Sequence, residues 1–292
     1  MREATVTLSD GRLLGYAEHG DPTGVPIVHC HGLPGGRALS LDPDALTARG
    51  ARLISVERPG FGLSDPRPGR VLLDAAADVA ELADALGLER FAVYGASLGA
   101  PTALACADAV PERVAVVGIA CGVGPVFDQP RFDPVVPAEW QALLPIARDD
   151  LGAARGLVRA FVAPTAEAWA ADPDGFIDTF IADAAELDRA GLVAHRDTWA
   201  ALLEATYRHG PDTATDEIMA SVGPWGFSPR DLRVPVHLWH GDRDDAAPVE
   251  VARFVASELP DAHLTVYEGE GHFLEESHHG DWIVTLVAWH DG

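Results

Sequence analysis

The sequence contains no lysine; all 21 of its basic residues are arginine. That absence excludes a Gly-Lys-Ser/Thr phosphate loop, whose lysine reaches the phosphates. The arginines are scattered rather than clustered, and 45 acidic residues outnumber them, for a formal charge of -24. A surface of that sign repels nucleic-acid phosphates and anionic lipid, so neither nucleic acid nor a membrane is expected as a partner. Cysteine is scarce as well. Cys30, Cys106 and Cys121 are odd in number, far apart and each set in an apolar run, which excludes a disulfide scaffold or zinc-type spacing and reads as buried thiols in a reducing compartment. No window of about 18 uncharged apolar residues occurs, and residues 1–6 lack an apolar leader-type run, so a cytoplasmic location is expected. What remains is 292 residues, 48% hydrophobic and 23% charged, enough for one large domain or a domain carrying an insertion.

Apolar β-type runs alternate with helical stretches along most of the chain, the pattern of an α/β fold with a largely parallel sheet. Residues 5–8 and 12–18, joined by Ser9-Asp10-Gly11, read as an opening hairpin. Six further runs, 25–30, 51–56, 91–94, 114–120, 234–239 and 263–267, are mostly continuous in apolar residues, as strands covered on both faces are. Residues 73–86 repeat at helical spacing, with Leu73, Val79, Leu82 and Leu86 on one side and Asp74, Asp78, Glu81 and Asp84 on the other; 249–259 do likewise. The alternation stops from about Gly122 to Arg233, where four prolines open an alanine-rich helical stretch. The organisation expected is a core of residues 1–121 and 234–292 with a helical cap, 122–233, inserted between them.

The string Phe91-Ala92-Val93-Tyr94-Gly95-Ala96-Ser97-Leu98-Gly99-Ala100 is an apolar strand running through Gly-x-Ser-x-Gly into a helix. A strand that reverses directly into a helix puts its central residue in a strained conformation, and flanking glycines make room for the crossing chains. Taken alone, Ser97 could equally be a helix N-cap. In its context the string resembles the nucleophile elbow of the α/β-hydrolases, and the resemblance extends from about Gly11 to the C-terminus. It implies the α/β-hydrolase fold, a mostly parallel central sheet with an inserted helical cap.

The resemblance also implies partners for Ser97, in the order serine, acid, histidine. Asp244 falls on the family's Gly-x-x-Asp-x-x-x-Pro spacing in Gly241-Asp242-Arg243-Asp244-Asp245-Ala246-Ala247-Pro248, with Asp242 and Asp245 as competitors that could simply cap the next helix. No acid follows the sixth strand, in Ala120-Cys121-Gly122-Val123-Gly124. His272 closes Glu268-Gly269-Glu270-Gly271-His272 and is the base implied, whereas His278 and His279 read as surface residues. His31-Gly32-Leu33-Pro34-Gly35 resembles the family's oxyanion turn, so the backbone N–H groups of Leu33 and Leu98 are the implied donors. His29 and His31, two apart on a strand, could share a metal, but no further ligands follow, so neither metal nor cofactor is expected. Glu57-Arg58-Pro59-Gly60-Phe61-Gly62-Leu63-Ser64-Asp65 also resembles the family and reads as a structural turn.

These residues imply a serine hydrolase working through an acyl-enzyme on a small, neutral or hydrophobic ester, lactone or thioester. A serine at the elbow separates the chain from relatives that place aspartate there. The same triad also serves amide, N-terminal peptide and C–C bond hydrolysis, perhydrolysis and biosynthetic steps, and the fold could persist as a non-catalytic ligand-binding homologue. Trp140, Trp169, Trp199 and Trp225 lie in the cap segment, where most would pack helices and some would line the pocket; Arg155, Arg159 and Arg196 are there too. The missing lysine beside abundant Ala, Arg and Asp suggests a GC-rich, bacterial genome. The oligomeric state is not legible.

Overall fold

The computed structural model describes residues 1–39 and 43–291. Eight strands form one sheet: β1 (Arg2–Thr7), β2 (Leu13–Gly20), β3 (Val25–Cys30), β4 (Ala51–Val56), β5 (Phe91–Ala96), β6 (Val114–Ala120), β7 (Val236–Gly241) and β8 (Ala262–Tyr267). Their order is β1-β2-β4-β3-β5-β6-β7-β8. The first two strands are antiparallel to their neighbours and the other six run parallel. The expected α/β-hydrolase fold, a mostly parallel sheet, is therefore what the chain adopts. Every residue of β5 and β6 is buried, the reason their sequences are unbroken apolar runs. β7 starts at Val236 rather than at Val234, because the intervening Pro235 has no N–H to give to the ladder.

Helices α1 (Pro43–Thr47), α2 (Leu72–Ala85) and α3 (Ala100–Ala109) belong to the first half of the chain, and α10 (Val249–Glu258) and α11 (Glu275–Val287) to the last part. One face of the sheet packs α2 and α3 through Val79, Leu82, Ala103 and Leu104 against Val28, Ile54, Val93 and Val117. The other packs Leu46 of α1 and Trp282, Ile283 and Leu286 of α11 against Ile27, Leu53, Tyr94 and Val116. α2 starts where the Asp74 carboxylate accepts the Val71 N–H at 2.9 Å, and it ends before Gly87, whose φ is +66°. Asp78 does not stay with the polar side of α2. It is 2% exposed, and Arg12 reaches it from the opening hairpin with two N–H donors at 2.7 and 2.8 Å. A carboxylate held by such a fork can lie in the interior.

Between β6 and β7 come α4 (Ala138–Asp149), α5 (Leu151–Ala171), α6 (Pro173–Asp183), α7 (Glu186–Ala194), α8 (Arg196–Tyr207) and α9 (Asp212–Val222). Trp169, Ile177, Ile181, Leu192, Trp199 and Leu203 form an apolar cluster within this layer, and Ala38 and Phe273 meet it from the sheet side. Trp225 is different. It packs in the sheet core with Leu232 and Val234, its indole N–H donating to the Ser221 carbonyl at 3.0 Å. Among the described residues no helix is long and apolar enough to cross a membrane.

Candidate active site

β5 ends at the Gly95–Gly99 turn, and the crossing there is tight. A Cβ on Gly99 would lie 2.0 Å from the Cys30 carbonyl oxygen and 2.5 Å from that of His31; one on Gly95 would lie 2.7 Å from the Gly99 oxygen. Only glycine fits either place. Ser97 takes φ +50°, a left-handed conformation that costs an L-residue roughly 1–2 kcal/mol. A Cβ on Gly32 would sit 3.2 Å from the Ser97 Cβ, so the loop after β3 passes directly beside the serine.

The structure brings Ser97, His272 and Asp244 together from three strand ends. His272 Nε2 lies 3.0 Å from Ser97 Oγ, and its Nδ1 lies 2.9 and 3.0 Å from the two Asp244 oxygens. Asp244 is buried at 7% exposure; its Oδ1 accepts the N–H groups of Ala246 at 3.0 Å and Ala247 at 2.8 Å. Burial opposes its charge, but hydrogen bonds to His240, His272 and Ala247 outweigh that and hold its carboxyl far below the usual range. An ionised Asp244 therefore faces the imidazole at neutral pH. Its competitors stand elsewhere: Asp242 is exposed and accepts the Gly269 N–H at 2.7 Å, and Asp245 is exposed. His278 stacks on Tyr267 and meets Glu270 at 3.2 Å, away from the serine.

Leu33 borders the same cavity as Ser97 and His272, and Leu98 follows the serine in a short 3-10 turn that leads into α3. The carbonyl of Gly32, across the peptide bond from the Leu33 N–H, is gripped from behind. His31 Nδ1 lies 2.8 Å from it and Arg58 Nη2 donates to it at 3.4 Å. Since the Arg58 backbone N–H donates to His31 Nε2 at 3.4 Å, the proton of this imidazole sits on Nδ1, where it serves Gly32. Arg58 in turn is held by Glu217 of α9, with N···O distances of 2.8 and 3.1 Å, and Arg70 binds the same carboxylate. All three side chains are 1% exposed.

The turn at 57–65, read as structural, carries Arg58, which braces the loop beside Ser97. Glu217 carries no local signal, being one acid in an acidic helix 159 positions from Arg58. His29 and His31 do not converge on a common ligand. His29 Nδ1 pairs with Ser55 Oγ at 3.0 Å and its ring stacks near Tyr94, while His31 is committed to the oxyanion-type loop.

Burial, reinforced by the Arg58 charge, pushes His29 down to about 3 and His31 well below the ordinary imidazole value of 6.5. Both are neutral when folded, whereas the unfolded chain protonates them below pH 6.5. Their contribution to stability is therefore complete above that value and lost as the pH falls below it, at up to about 1.4 kcal/mol per unit for each. Urea unfolding between pH 7 and 5 should show this slope, and His29→Gln should flatten it by one proton; an unchanged slope would contradict the assignment.

The cavity over Ser97 has a volume of about 100 Å³. Its walls include Ala38, Tyr94, Trp199, Leu202, Phe273 and Trp282, and no Asp, Glu or Arg is among the described residues that line it. Of the four tryptophans in the 122–233 interval, only Trp199 reaches it. Arg155, Arg159 and Arg196 are paired with Asp216, Asp212 and Asp178 instead.

Residues 25–278 match the family model described as the alpha/beta hydrolase fold. The chain is 31% identical over 282 residues to a non-heme chloroperoxidase of Streptomyces lividans, covering 94% of each. It is 26% identical to a proline iminopeptidase of Xylella fastidiosa, covering 95% of this chain and 92% of that one. A bromoperoxidase from Bacillus anthracis superposes with a TM-score of 0.70 at 22% identity over 100% of both chains, a likeness of fold. Fold, site geometry and sequence agree that the chain belongs to the alpha/beta hydrolase fold family.

Proposed function

We propose that the protein is a serine hydrolase acting on small neutral or hydrophobic esters, lactones or thioesters. Ser97 Oγ attacks the acyl carbon while His272 Nε2 takes its proton, and Asp244 fixes the imidazole with Nδ1 protonated and stabilises the cation that forms. The backbone N–H groups of Leu33 and Leu98 receive the oxyanion, each such donor lowering the barrier by about 2.7–4 kcal/mol. His272 then returns its proton to the leaving group, and water, activated by the same nitrogen, releases the acid. The single observation that carries this reading is the continuous chain of contacts, 3.0 Å from serine to imidazole and 2.9 Å from imidazole to carboxylate. A fluorophosphonate should label Ser97 stoichiometrically; a chain that stays unlabelled would be a ligand-binding homologue, not an enzyme of this kind.

The walls support this choice of substrate class. A peptidase that selects a free N-terminus has to neutralise an ammonium group, since a buried unpaired charge is costly, and no carboxylate is among the described residues that line the cavity. An uncharged acyl group suits aromatic and aliphatic walls better. Given a cavity of about 100 Å³, short acyl chains should be preferred. In a panel of p-nitrophenyl esters, acetate or butyrate should exceed octanoate in kcat/KM by about tenfold or more, and prolyl anilide should be the poorest substrate. The reverse order would refute this choice of substrate.

A second reading is favoured by the 31% identical relative named a non-heme chloroperoxidase. In it, hydrogen peroxide in place of water takes the acyl group from Ser97 and gives a peracid. The division of the chain belongs to the same proposal: residues 1–121 and 234–292 form the catalytic core, and 122–233 form a cap that supplies the upper wall through Trp199 and Leu202.

A further inference from the structure

Among the described residues, two that are not glycine take positive φ, Ser97 at +50° and Cys121 at +46°. The first is explained by the elbow. The second is the residue directly after β6, the strand next to β5, and strain at a non-glycine position persists only where its surroundings hold it. Cys121 is tied down on both sides: its backbone N–H donates to the Trp239 carbonyl at 2.9 Å, and its thiol lies 3.7 Å from the Gly271 carbonyl oxygen. This holds the sulfur beside Gly271, the residue that precedes His272. One ligand atom each from Cys121, Asp244 and His272 lie within 4.8 Å of one another, and Cys121 also borders the cavity that holds Ser97.

Thiolate, imidazole and carboxylate are the donors used by three-ligand zinc sites that keep a fourth position open. The ordinary bond lengths of about 2.3 Å to sulfur and 2.0–2.2 Å to nitrogen and oxygen put tetrahedral ligands about 3.3–3.6 Å apart. With all three atoms within 4.8 Å of one another, the sulfur has at most about 1.5 Å to close, and the His272–Asp244 contact, now 2.9 Å, about half an ångström to open, to meet that geometry. The Asp244 carboxylate is fixed by two backbone N–H groups, so one ligand is preorganised.

We propose that Cys121, Asp244 and His272 form an inhibitory site for a thiophilic divalent cation, with Cd²⁺ and Zn²⁺ as its ligands, that switches the triad off by capturing His272 Nδ1. The balance is simple. The ion loses bound water and gains bonds to Cys121 Sγ, His272 Nδ1 and an Asp244 oxygen; the thiol proton goes to solvent, and the proton on Nδ1 moves to Nε2. A protonated Nε2 donates to Ser97 Oγ and has no lone pair to accept the serine proton. Binding and base catalysis are then mutually exclusive, and the ion enters by the cavity that admits substrate.

The inference rests on His272 being the base, and the test separates the two. CdCl₂ titrated into the purified protein should abolish ester turnover, reversibly with chelator, and raise the ultraviolet charge-transfer absorbance of a cadmium–thiolate bond with one-to-one stoichiometry. Cys121→Gly, which suits the positive φ, and Cys121→Ser should each lose that band and raise the inhibitory concentration about 100-fold or more, each measured against its own metal-free turnover. Ser97→Ala should keep the band, because the serine is not a ligand; the band therefore reports the site even if the esterase reading fails. A band or an inhibition constant indifferent to Cys121, or wild-type protein that shows neither, overturns the proposal.

Discussion

Ser97→Ala is expected to lower turnover of an activated ester about a million-fold, the usual consequence of removing a nucleophile that works as one unit with its base. Activity should not vanish, because the two N–H donors and the cavity remain, and such a remnant typically exceeds the uncatalysed reaction by about 10³–10⁴-fold. The strained backbone offers a sharper version of the test. Ser97→Gly should be as inactive as the alanine variant yet at least as stable as the wild type, since glycine accepts φ +50° without penalty. An inactive and more stable variant would show that the serine is kept against its conformational preference. Turnover above about one hundredth of wild type in either variant would refute the assignment.

The largest effect on stability is expected at Glu217. Its carboxylate is the common partner of Arg58 and Arg70, and all three are buried, so Glu217→Ala leaves two guanidinium groups without their counter-charge. Breaking a buried pair from one side commonly costs about 3–5 kcal/mol, read here as a shift in the urea midpoint. Burial works against the charge of Glu217, but the two arginines outweigh it and hold its carboxyl below the ordinary value of 4.5. Its stabilisation is accordingly present above pH 4.5 and lost as the pH falls through the lowered value. A loss under about 1 kcal/mol in the alanine variant would mean that the arginines had found other partners.

How far the sequence reveals such a molecule depends on how local the cause is. The central strands β5 and β6 show because burial on both faces leaves unbroken apolar runs, whereas β8 at the sheet edge has no fully buried residue; β7 begins late where Pro235 alters the hydrogen bonding. Ser97 shows because a strand turning into a helix dictates glycine on either side of it. Asp244 and His272 show only in relation to Ser97, through spacings shared across a family, and the cluster of three aspartates resolves once burial distinguishes Asp244 from its exposed neighbours. Glu217 and Asp78 do not show, since a buried acid and a solvated one look alike until the arginine that reaches them from far along the chain is known. Trp225 illustrates the opposite error: it stands in the helical interval but its ring belongs to the sheet. Cys121 was hidden because a small apolar residue at the end of a strand asks for no explanation until its backbone angle is seen.

The anchorage of Glu217 bears on how the cavity is entered. Swinging α9 away from the sheet would strand three charges in the open joint, so that end of the helical layer acts as a mooring. Traffic of substrate and product is then expected past the flank where Phe273 meets the helical layer through the edge of the Trp199 ring and a single N–H given to Asp188, and reshaping that flank should widen access without loosening the hull.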